Sequence, residues 1–348
     1  MFNFEKAVPA VALTAAALLA TVPSAVAAPG SAAPGSSGAP TNFLDAYGQS
    51  ITDPTASPAG ANDWNCTPTA EHPDPVVLVH GTWENAYANW SGLAPALADD
   101  GYCVFALNYG DTGPADRGGA ASALPGAFGT ADIADSAGEI ATYVDAVRDA
   151  TGAAKVDLVG HSQGGLVSRQ YLKFNGGAEK VGKVVTLGAT NHGTTMGGIG
   201  TLGREISTSG PDLDPALSWV TGVASVQQVV GSPLLNALNA DGDTLPGIDY
   251  TAIATRYDEV TTPYESTFLT AGPGATVDNI TVQDGCAVDH SDHLAMSYSP
   301  RVTDLVRNAL TPGSVGVPRC TPNSPLVGAG TAGSTEGSAP AFGLASGS

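Results

Sequence analysis

The segment that most constrains the fold surrounds Ser162, in the stretch KVDLVGHSQGGLVSRQYL at residues 155–172. Apolar residues before the serine predict a short buried strand, and apolar residues after the glycines recur at helical spacing. The serine therefore lies at a tight strand-to-helix turn, where the glycines of Gly-His-Ser-Gln-Gly let strand and helix approach closely. Such a turn presents its serine as a candidate nucleophile, and the alternative is a glycine turn without chemistry.

Strand and helix patterns alternate on both sides of this turn. Apolar runs predict six strands, within residues 75–81, 102–110, 155–161, 183–191, 250–258 and 279–285. Helices are expected after the serine and near residues 93–98, 132–150 and 300–310. This alternation predicts an α/β fold, in which helices cover both faces of a mostly parallel sheet.

The two ends of the chain differ in composition from the rest. Residues 1–27 place an apolar stretch between Lys6 and a small-residue Ala-Val-Ala site, which is typical of a secretory signal peptide, with a retained anchor as the alternative. Residues 28–40 and 322–348 are rich in Pro, Gly and Ser, so we expect a flexible linker and a low-complexity tail. Residues 41–321 are expected to form the catalytic domain of a secreted, extracellular protein.

The charge balance excludes one class of partner. The 348 residues include 13 Lys and Arg against 33 Asp and Glu, a formal net charge of −20. Thirteen Lys and Arg side chains cannot neutralise a run of phosphates. Nucleic acid is therefore excluded as a partner, and anionic membrane surfaces are disfavoured.

Residues 110–130 and 196–247 are too long and too rich in glycine for simple connections. In the second segment, a helical insertion is marked by Leu217, Val220, Val223, Val226 and Val230. Insertions at the carboxyl ends of parallel strands usually line or cover a site. We therefore predict a lid or pocket wall over the site at 196–247, and the alternative is a helix packed permanently on the core.

A serine nucleophile needs an imidazole base and a carboxylate that orients this base, and around such turns the chain order is Ser, acid, His. Asp258 directly follows a predicted strand and is the predicted acid, with Glu259 and Asp249 as competitors. Two histidines follow it, His290 and His293.

We predict His293 as the base, because apolar residues 294–296 can hold its ring against the core. The competing interpretation is a metal site in VDHSDH, since Asp289, His290, Asp292 and His293 are all possible ligands. Their spacing fits no standard zinc pattern.

The backbone amides of Thr82 and Gln163 are the candidate oxyanion donors, because Thr82 follows a strand end and Gln163 follows the serine. His80 and His161 are expected to be structural. His192, after the strand at 183–191, and Trp83, beside Thr82, are candidates for contact with substrate.

The four cysteines have no metal-type spacing, and an even number in an exported protein indicates disulfides. We predict Cys66 with Cys103 and Cys286 with Cys320, since each pair closes a local loop. The second bridge would restrain the loop that bears the base.

Six motifs in order carry a resemblance to a known family: PVVLVHGTW, GHSQGG, TLGATNHGT, SPLLNALNADGD, YTAIATRYDEVTTP and DHSDHLAMSYSPRV. Together they resemble the secreted actinobacterial lipases and esterases of the α/β-hydrolase fold, the class-2 lipase group. The resemblance extends from about residue 60 to 321. It implies Ser162 as nucleophile, Asp258 as acid and His293 as base.

The chemistry that the resemblance implies is hydrolysis of carboxylic esters through an acyl-enzyme, without a cofactor. A structural calcium ion stays open, although no loop shows EF-hand ligand spacing. The expected partner is a lipid or other ester substrate, with a lipid–water interface as a further possibility, and a monomer is expected. The alternatives are an acyltransferase or a cutinase-like polyester hydrolase on the same triad, and a secreted binding protein without catalysis.

Overall fold

The computed structural model describes residues 40–195 and 222–325. The predicted signal peptide, the linker up to residue 39, insertion residues 196–221 and tail residues 326–348 lie outside this range. In the part of the chain that is described, no helix combines the length and the apolarity that crossing a bilayer requires.

The described residues contain one six-stranded parallel sheet with the order β2-β1-β3-β4-β5-β6. Its strands are β1 Val76–Val79, β2 Val104–Leu107, β3 Val156–His161, β4 Val181–Leu187, β5 Asp249–Ala254 and β6 Thr276–Thr281. The strand order reverses direction between β1 and β3, and the carboxyl ends at such a point form a crevice that usually holds the site. All six predicted strands are present, although β4 and β6 begin before the predicted ranges, at Val181 and Thr276.

Eight α-helices surround the sheet in the described residues: α1 Phe43–Ser50, α2 Ala86–Trp90, α3 Leu93–Asp99, α4 Ile133–Thr151, α5 Gln163–Phe174, α6 Val223–Gln227, α7 Pro233–Asn239 and α8 Pro300–Leu310. The α4 helix begins after Asp132, whose side chain accepts a hydrogen bond from the backbone of Ala134, and ends at Gly152. The helices predicted near residues 93–98, 132–150 and 300–310 and after the serine are confirmed, whereas α1, α2 and α7 were not predicted.

The strands bury alternate residues on opposite faces of the sheet. In β1, Val77 and Val79 pack in the same core as the apolar face of α4 and α5. Val76 and Leu78 point the other way and pack with residues of α3 and α8. Helices therefore cover both faces, and the predicted α/β-hydrolase architecture is confirmed.

The helical insertion is only partly described by the structure. The α6 helix begins at Val223 and ends at Gln227, so it is shorter than the predicted pattern, whose Leu217 and Val220 lie outside the described residues. Val223 and Ala224 are buried, and Ala224 packs in the core with Leu235 and Leu238 of α7. The described part of the insertion therefore contributes buried residues to the core, and both the lid and the permanently packed helix stay predictions for residues 196–247.

Both predicted disulfides are formed, Cys66 with Cys103 and Cys286 with Cys320. The folded domain extends beyond the predicted boundary at residue 321, because Asn323 is buried. Its side chain donates hydrogen bonds to Ser291 Oγ at 2.7 Å and to the carbonyl oxygen of Ala295 at 3.2 Å. Composition did not reveal this anchor, since a single polar residue inside a Pro/Gly/Ser-rich segment gives no pattern.

Candidate active site

Ser162 occupies the turn between β3 and α5, as predicted. Its backbone has φ 53° and ψ −125°, which is strained for a residue with a side chain. The turn is tight enough that a Cβ on Gly164 would lie 2.0 Å from the carbonyl oxygen of Val79, so only glycine fits there. The serine side chain makes no capping hydrogen bond to α5. This geometry resembles that of a nucleophile elbow.

Asp258 and His293 are brought together at the same edge of the sheet. His293 Nδ1 lies 3.0 Å from Asp258 Oδ2, and both side chains are buried. The other carboxylate oxygen of Asp258 accepts backbone hydrogen bonds from Val260 at 2.9 Å and Thr261 at 2.6 Å. These bonds fix the carboxylate, which in turn fixes the orientation of the imidazole ring and leaves Nε2 as the nitrogen that can accept a serine proton.

Three nearby carboxylates set the basicity of His293. Burial opposes protonation of the ring, but the charge and the hydrogen bond of Asp258 outweigh it, with further contributions from Glu84 and Glu259. Together they raise the pKa of His293 to about 9. A raised pKa makes the imidazole a stronger base in its neutral form.

The residue before the serine links the elbow to the base. The His161 and His293 ring centroids are 4.8 Å apart, and His161 Nε2 lies 2.9 Å from the carbonyl oxygen of His293. The structure holds no hydrogen bond between Ser162 Oγ and the His293 ring. Bonds of this kind are often long in unliganded sites and tighten when substrate binds.

The two candidate oxyanion donors lie on adjoining segments. The Thr82 side chain donates to the side-chain oxygen of Gln163 at 2.8 Å, so the loop after β1 is tied to the start of α5. Neither backbone amide donates to another of the described residues. Their role as oxyanion donors stays a prediction.

Gln228, which sequence reasoning missed, joins this pair. It follows α6 and is buried, and its Nε2 lies 2.9 Å from both Thr82 Oγ1 and Gln163 Oε1. Its Oε1 accepts a hydrogen bond from Thr190 at 2.9 Å. The only sequence signal was its place in an insertion near the strand ends, which does not single out one residue.

Glu84 was also missed. Its carboxylate is buried, and Oε2 accepts a hydrogen bond from the backbone of Gly81 at 3.0 Å and lies 3.1 Å from His161 Nδ1. A carboxylate four residues after His80 carries no motif of its own, and its partner lies 77 positions along the chain. Glu84 and His161 thus form a second buried carboxylate–imidazole pair beside that of Asp258 and His293.

The other candidate histidines are held by structural contacts. His80 is buried and stacks on Tyr109, and burial lowers its pKa to about 4. His192 is half-buried, with its ring nitrogens 2.9 Å from Asp243 Oδ1 and 3.1 Å from the carbonyl oxygen of Ser266. Its predicted contact with substrate stays a prediction.

Trp83, the other candidate for substrate contact, stands in the loop that carries Thr82. It adopts φ 59° and donates its backbone N–H to Phe128 at 2.8 Å. The structure therefore fixes its backbone, and its role toward substrate stays a prediction.

The residues that the sequence offered as alternatives to Asp258 and His293 do not take part in the contact between carboxylate and imidazole ring. His290 is exposed, and its ring packs edge-on against Tyr257. Asp249 is exposed at the start of β5, at the opposite edge of the sheet. Glu259 is closer, because its carboxylate accepts the backbone N–H of His293 at 3.3 Å, but it does not contact the ring nitrogen.

The side chains of VDHSDH do not converge on one point. Asp289 accepts hydrogen bonds from Ser291 and Ser299, and His293 contacts Asp258. Among residues 40–195 and 222–325, no three or more His, Cys, Asp or Glu side chains are arranged to hold a metal ion. Bound calcium remains an open expectation.

Comparison with known proteins agrees with this architecture. Residues 74–266 match the family described by the alpha/beta hydrolase fold, which covers more than half of the chain. The protein belongs to the α/β-hydrolase family. The crystal structure of Aspergillus fumigatus lipase B aligns with a TM-score of 0.52 at 16% identity, covering 75% of this chain and 57% of that one, a likeness of fold alone.

Two relatives extend the comparison. A triacylglycerol lipase of Pseudarthrobacter phenanthrenivorans is 29% identical over 236 residues, covering 64% of this chain and 63% of the relative. A triacylglycerol lipase of Burkholderia plantarii is 29% identical over 236 residues, covering 64% and 56%. The chain therefore spans about three fifths of the length of these relatives.

Proposed function

We propose that the protein is a secreted serine hydrolase that cleaves carboxylic esters of lipids, triacylglycerols among them. The observation that carries the proposal is the buried 3.0 Å contact between Asp258 and His293 at the edge of the sheet where the strained Ser162 turn lies. The substrate class follows from the relatives, whose names describe triacylglycerol lipases. Two disulfides support export, because such bonds persist in oxidising compartments.

Acylation begins when Ser162 Oγ attacks the ester carbonyl carbon and passes its proton to His293 Nε2. Asp258 keeps Nδ1–H in place and stabilises the imidazolium that forms. The backbone N–H groups of Thr82 and Gln163 donate to the oxyanion. The tetrahedral intermediate then collapses, the carbon–oxygen bond to the alcohol breaks, and the alcohol leaves with the proton from Nε2.

Deacylation repeats these steps with water. The acyl group is now esterified to Ser162, and neutral His293 takes a proton from a water molecule as its oxygen attacks the acyl carbon. Collapse of the second intermediate releases the carboxylic acid and returns the proton to Ser162 Oγ. The triad and the two amides suffice for this cycle.

The test is hydrolysis by the purified, oxidised protein of p-nitrophenyl esters of increasing acyl length and of triacylglycerol emulsions. We expect turnover of esters, with rates on long-chain substrates that rise once these form an interface, and loss of turnover in Ser162→Ala. Failure of the wild-type protein to hydrolyse any of these esters would contradict the proposal. Hydrolysis of short soluble esters alone would restrict it to an esterase.

A further inference from the structure

A chain of buried hydrogen bonds runs beneath Ser162 from the oxyanion loop to the base. It starts at the backbone N–H of Gly81, which donates to Glu84 Oε2 at 3.0 Å. The same oxygen lies 3.1 Å from His161 Nδ1, and His161 Nε2 lies 2.9 Å from the carbonyl oxygen of His293. One carboxylate oxygen thus touches the loop that carries Thr82 and, through one imidazole, the residue predicted as the base.

The partners of His161 determine where its protons lie. The carbonyl oxygen of His293 can only accept a hydrogen bond, so His161 Nε2 must carry a proton. An ionised Glu84 carboxylate is also an acceptor only, so Nδ1 must carry a second one. Burial raises the pKa of Glu84, but the charge and hydrogen bond of His161, the charge of His293 and the N–H of Gly81 together lower it below its usual value, which favours the ionised carboxylate.

The Asn89 side chain is compatible with this arrangement. Its Nδ2 lies 3.0 Å from His161 Nδ1, while its buried Oδ1 has no hydrogen-bond partner among the described residues. Turning the amide by half a rotation brings that oxygen to the proton on Nδ1. The two amide orientations cannot be told apart by shape, and the proton on Nδ1 favours the turned one.

We propose, on the basis of the ester hydrolysis proposed above, that Glu84 and His161 form a buried ion pair that positions His293 by holding its backbone carbonyl. Only a doubly protonated His161 can donate to Glu84 and to His293 at the same time. The carbonyl bond is then charge-assisted and correspondingly short and strong. Glu84 and His161 are positioning residues, since neither side chain contacts the reacting atoms.

With the bond from His161, three separate contacts restrain His293. Asp258 contacts its ring, Glu259 accepts its backbone N–H, and His161 holds its backbone oxygen. Loss of the carbonyl contact frees one side of the residue and leaves the Asp258 contact in place, so it acts on alignment with Ser162. Loss of the Glu84 charge also lowers the pKa of His293, and a pH–rate profile separates this effect from misalignment. Misplacement by about 1 Å in such a site costs roughly a hundredfold in rate.

The variant that isolates the charge is Glu84→Gln, which keeps the shape and an oxygen that can accept from Gly81. Without the carboxylate, His161 loses its counter-ion, and a neutral ring has one proton for two acceptors. We expect kcat on a soluble p-nitrophenyl ester to fall roughly tenfold to a hundredfold, with KM within about twofold. The matched control is Glu139→Gln, because Glu139 accepts a loop N–H from Gly110 at 3.2 Å but contacts neither histidine.

A second measurement can be decided on the wild-type protein alone. In the full-length wild-type protein with ¹⁵N-labelled histidine, NMR at pH 7 should show protons on both ring nitrogens of His161, and Glu84→Gln should lose one of them. A singly protonated wild-type His161, or a folded Glu84→Gln protein with kcat within about threefold of wild type, would overturn the inference. If the variant does not fold, the wild-type spectrum decides. An inactive wild-type protein would instead overturn the proposed function and, with it, the catalytic role of the pair.

Discussion

Gln228 Nε2 lies 2.9 Å from Thr82 Oγ1, although 146 positions separate the two residues in the chain. This contact joins the end of α6 to the loop that carries a candidate oxyanion donor. The described part of the insertion therefore contacts the loop that carries Thr82 through a buried side chain.

Gln228→Ala should loosen the oxyanion loop, since Thr82 and Gln163 both lose a buried donor. We expect kcat to fall roughly tenfold or more, because loss of an oxyanion donor itself costs on the order of a hundredfold or more. Steady-state kinetics on a soluble ester measures the change. The control is Gln227→Ala, because Gln227 contacts Asp132 and the backbone of Ile133 and not the site. Equal kinetics for the two variants would refute this role.

The rate should depend on pH through His293, which must be neutral to act as a base. Because its pKa is raised to about 9, kcat/KM should rise with pH through that value and fall below it. The same shift contributes to the free energy of unfolding. This contribution is fully present below about 6.5, the pKa of histidine in the unfolded chain, and is lost as the pH rises through about 9, the pKa in the folded protein. A pH–rate profile measured over the range in which the protein stays folded tests the first statement.

Asp258→Asn should lower both the rate and the pKa of His293. We expect kcat to fall by about four orders of magnitude, as when the carboxylate of such a triad is neutralised. An NMR titration of the His293 ring should show a pKa lower by at least about one unit. Asp249→Asn serves as the control and should leave both unchanged. A similar loss of rate in Asp249→Asn would mean that the acid is assigned wrongly.

Gly188 precedes the loop that faces the acid–base pair and has φ 53°. A Cβ there would lie 3.0 Å from Asp258 Oδ2 and 3.2 Å from His293 Nδ1. Gly188→Ala should therefore displace the pair and lower kcat roughly tenfold or more. Gly176→Ala is the matched control, because Gly176 has φ 78° and open space around it. It should cost about 1 kcal/mol in stability and leave kcat unchanged.

Asp157 offers a test of stability apart from the site. Burial in β3 raises its pKa to about 7, and Lys183, 3.6 Å away, offsets burial only in part. Because the folded-state value is raised, the folded state loses stability as pH rises from about 4 to 7. Asp157→Asn should thus be more stable than wild type at pH 8 by on the order of 2–4 kcal/mol, and about equal at pH 4. Urea unfolding at both pH values measures the difference, with exposed Asp278→Asn as control. A variant that is less stable at pH 8 would refute this account.

The features that the sequence predicted are those with local signals. Each strand was visible as an apolar run, and His293 was chosen over His290 from the apolar residues that follow it. The structure buries His293 and leaves His290 exposed. The disulfide partners were predictable because each pair flanks one local loop. Burial and chain-local spacing therefore sufficed for the sheet, the turn and the contact between Asp258 and His293.

Features that depend on distant contacts could not be predicted. Glu84 acts through His161, and Gln228 through Thr82 and Gln163, so each polar side chain acquires its role only when separate loops meet at the sheet edge. The burial of Asn323 has the same origin, because its partners lie in the His293 loop. Hydrophobic periodicity predicts which face of a helix or strand is buried. It does not predict which polar side chains from distant segments form hydrogen bonds with each other.

Labelling with a fluorophosphonate probe tests the central claim most directly, because the probe reacts with a serine only when a base activates it. We predict labelling of wild type and of His290→Ala on the peptide that contains Ser162. Ser162→Ala should not be labelled, and His293→Ala should react slower by several orders of magnitude, with all four proteins folded by circular dichroism. Labelling of Ser162→Ala, or loss of labelling in His290→Ala with retention in His293→Ala, would contradict the account.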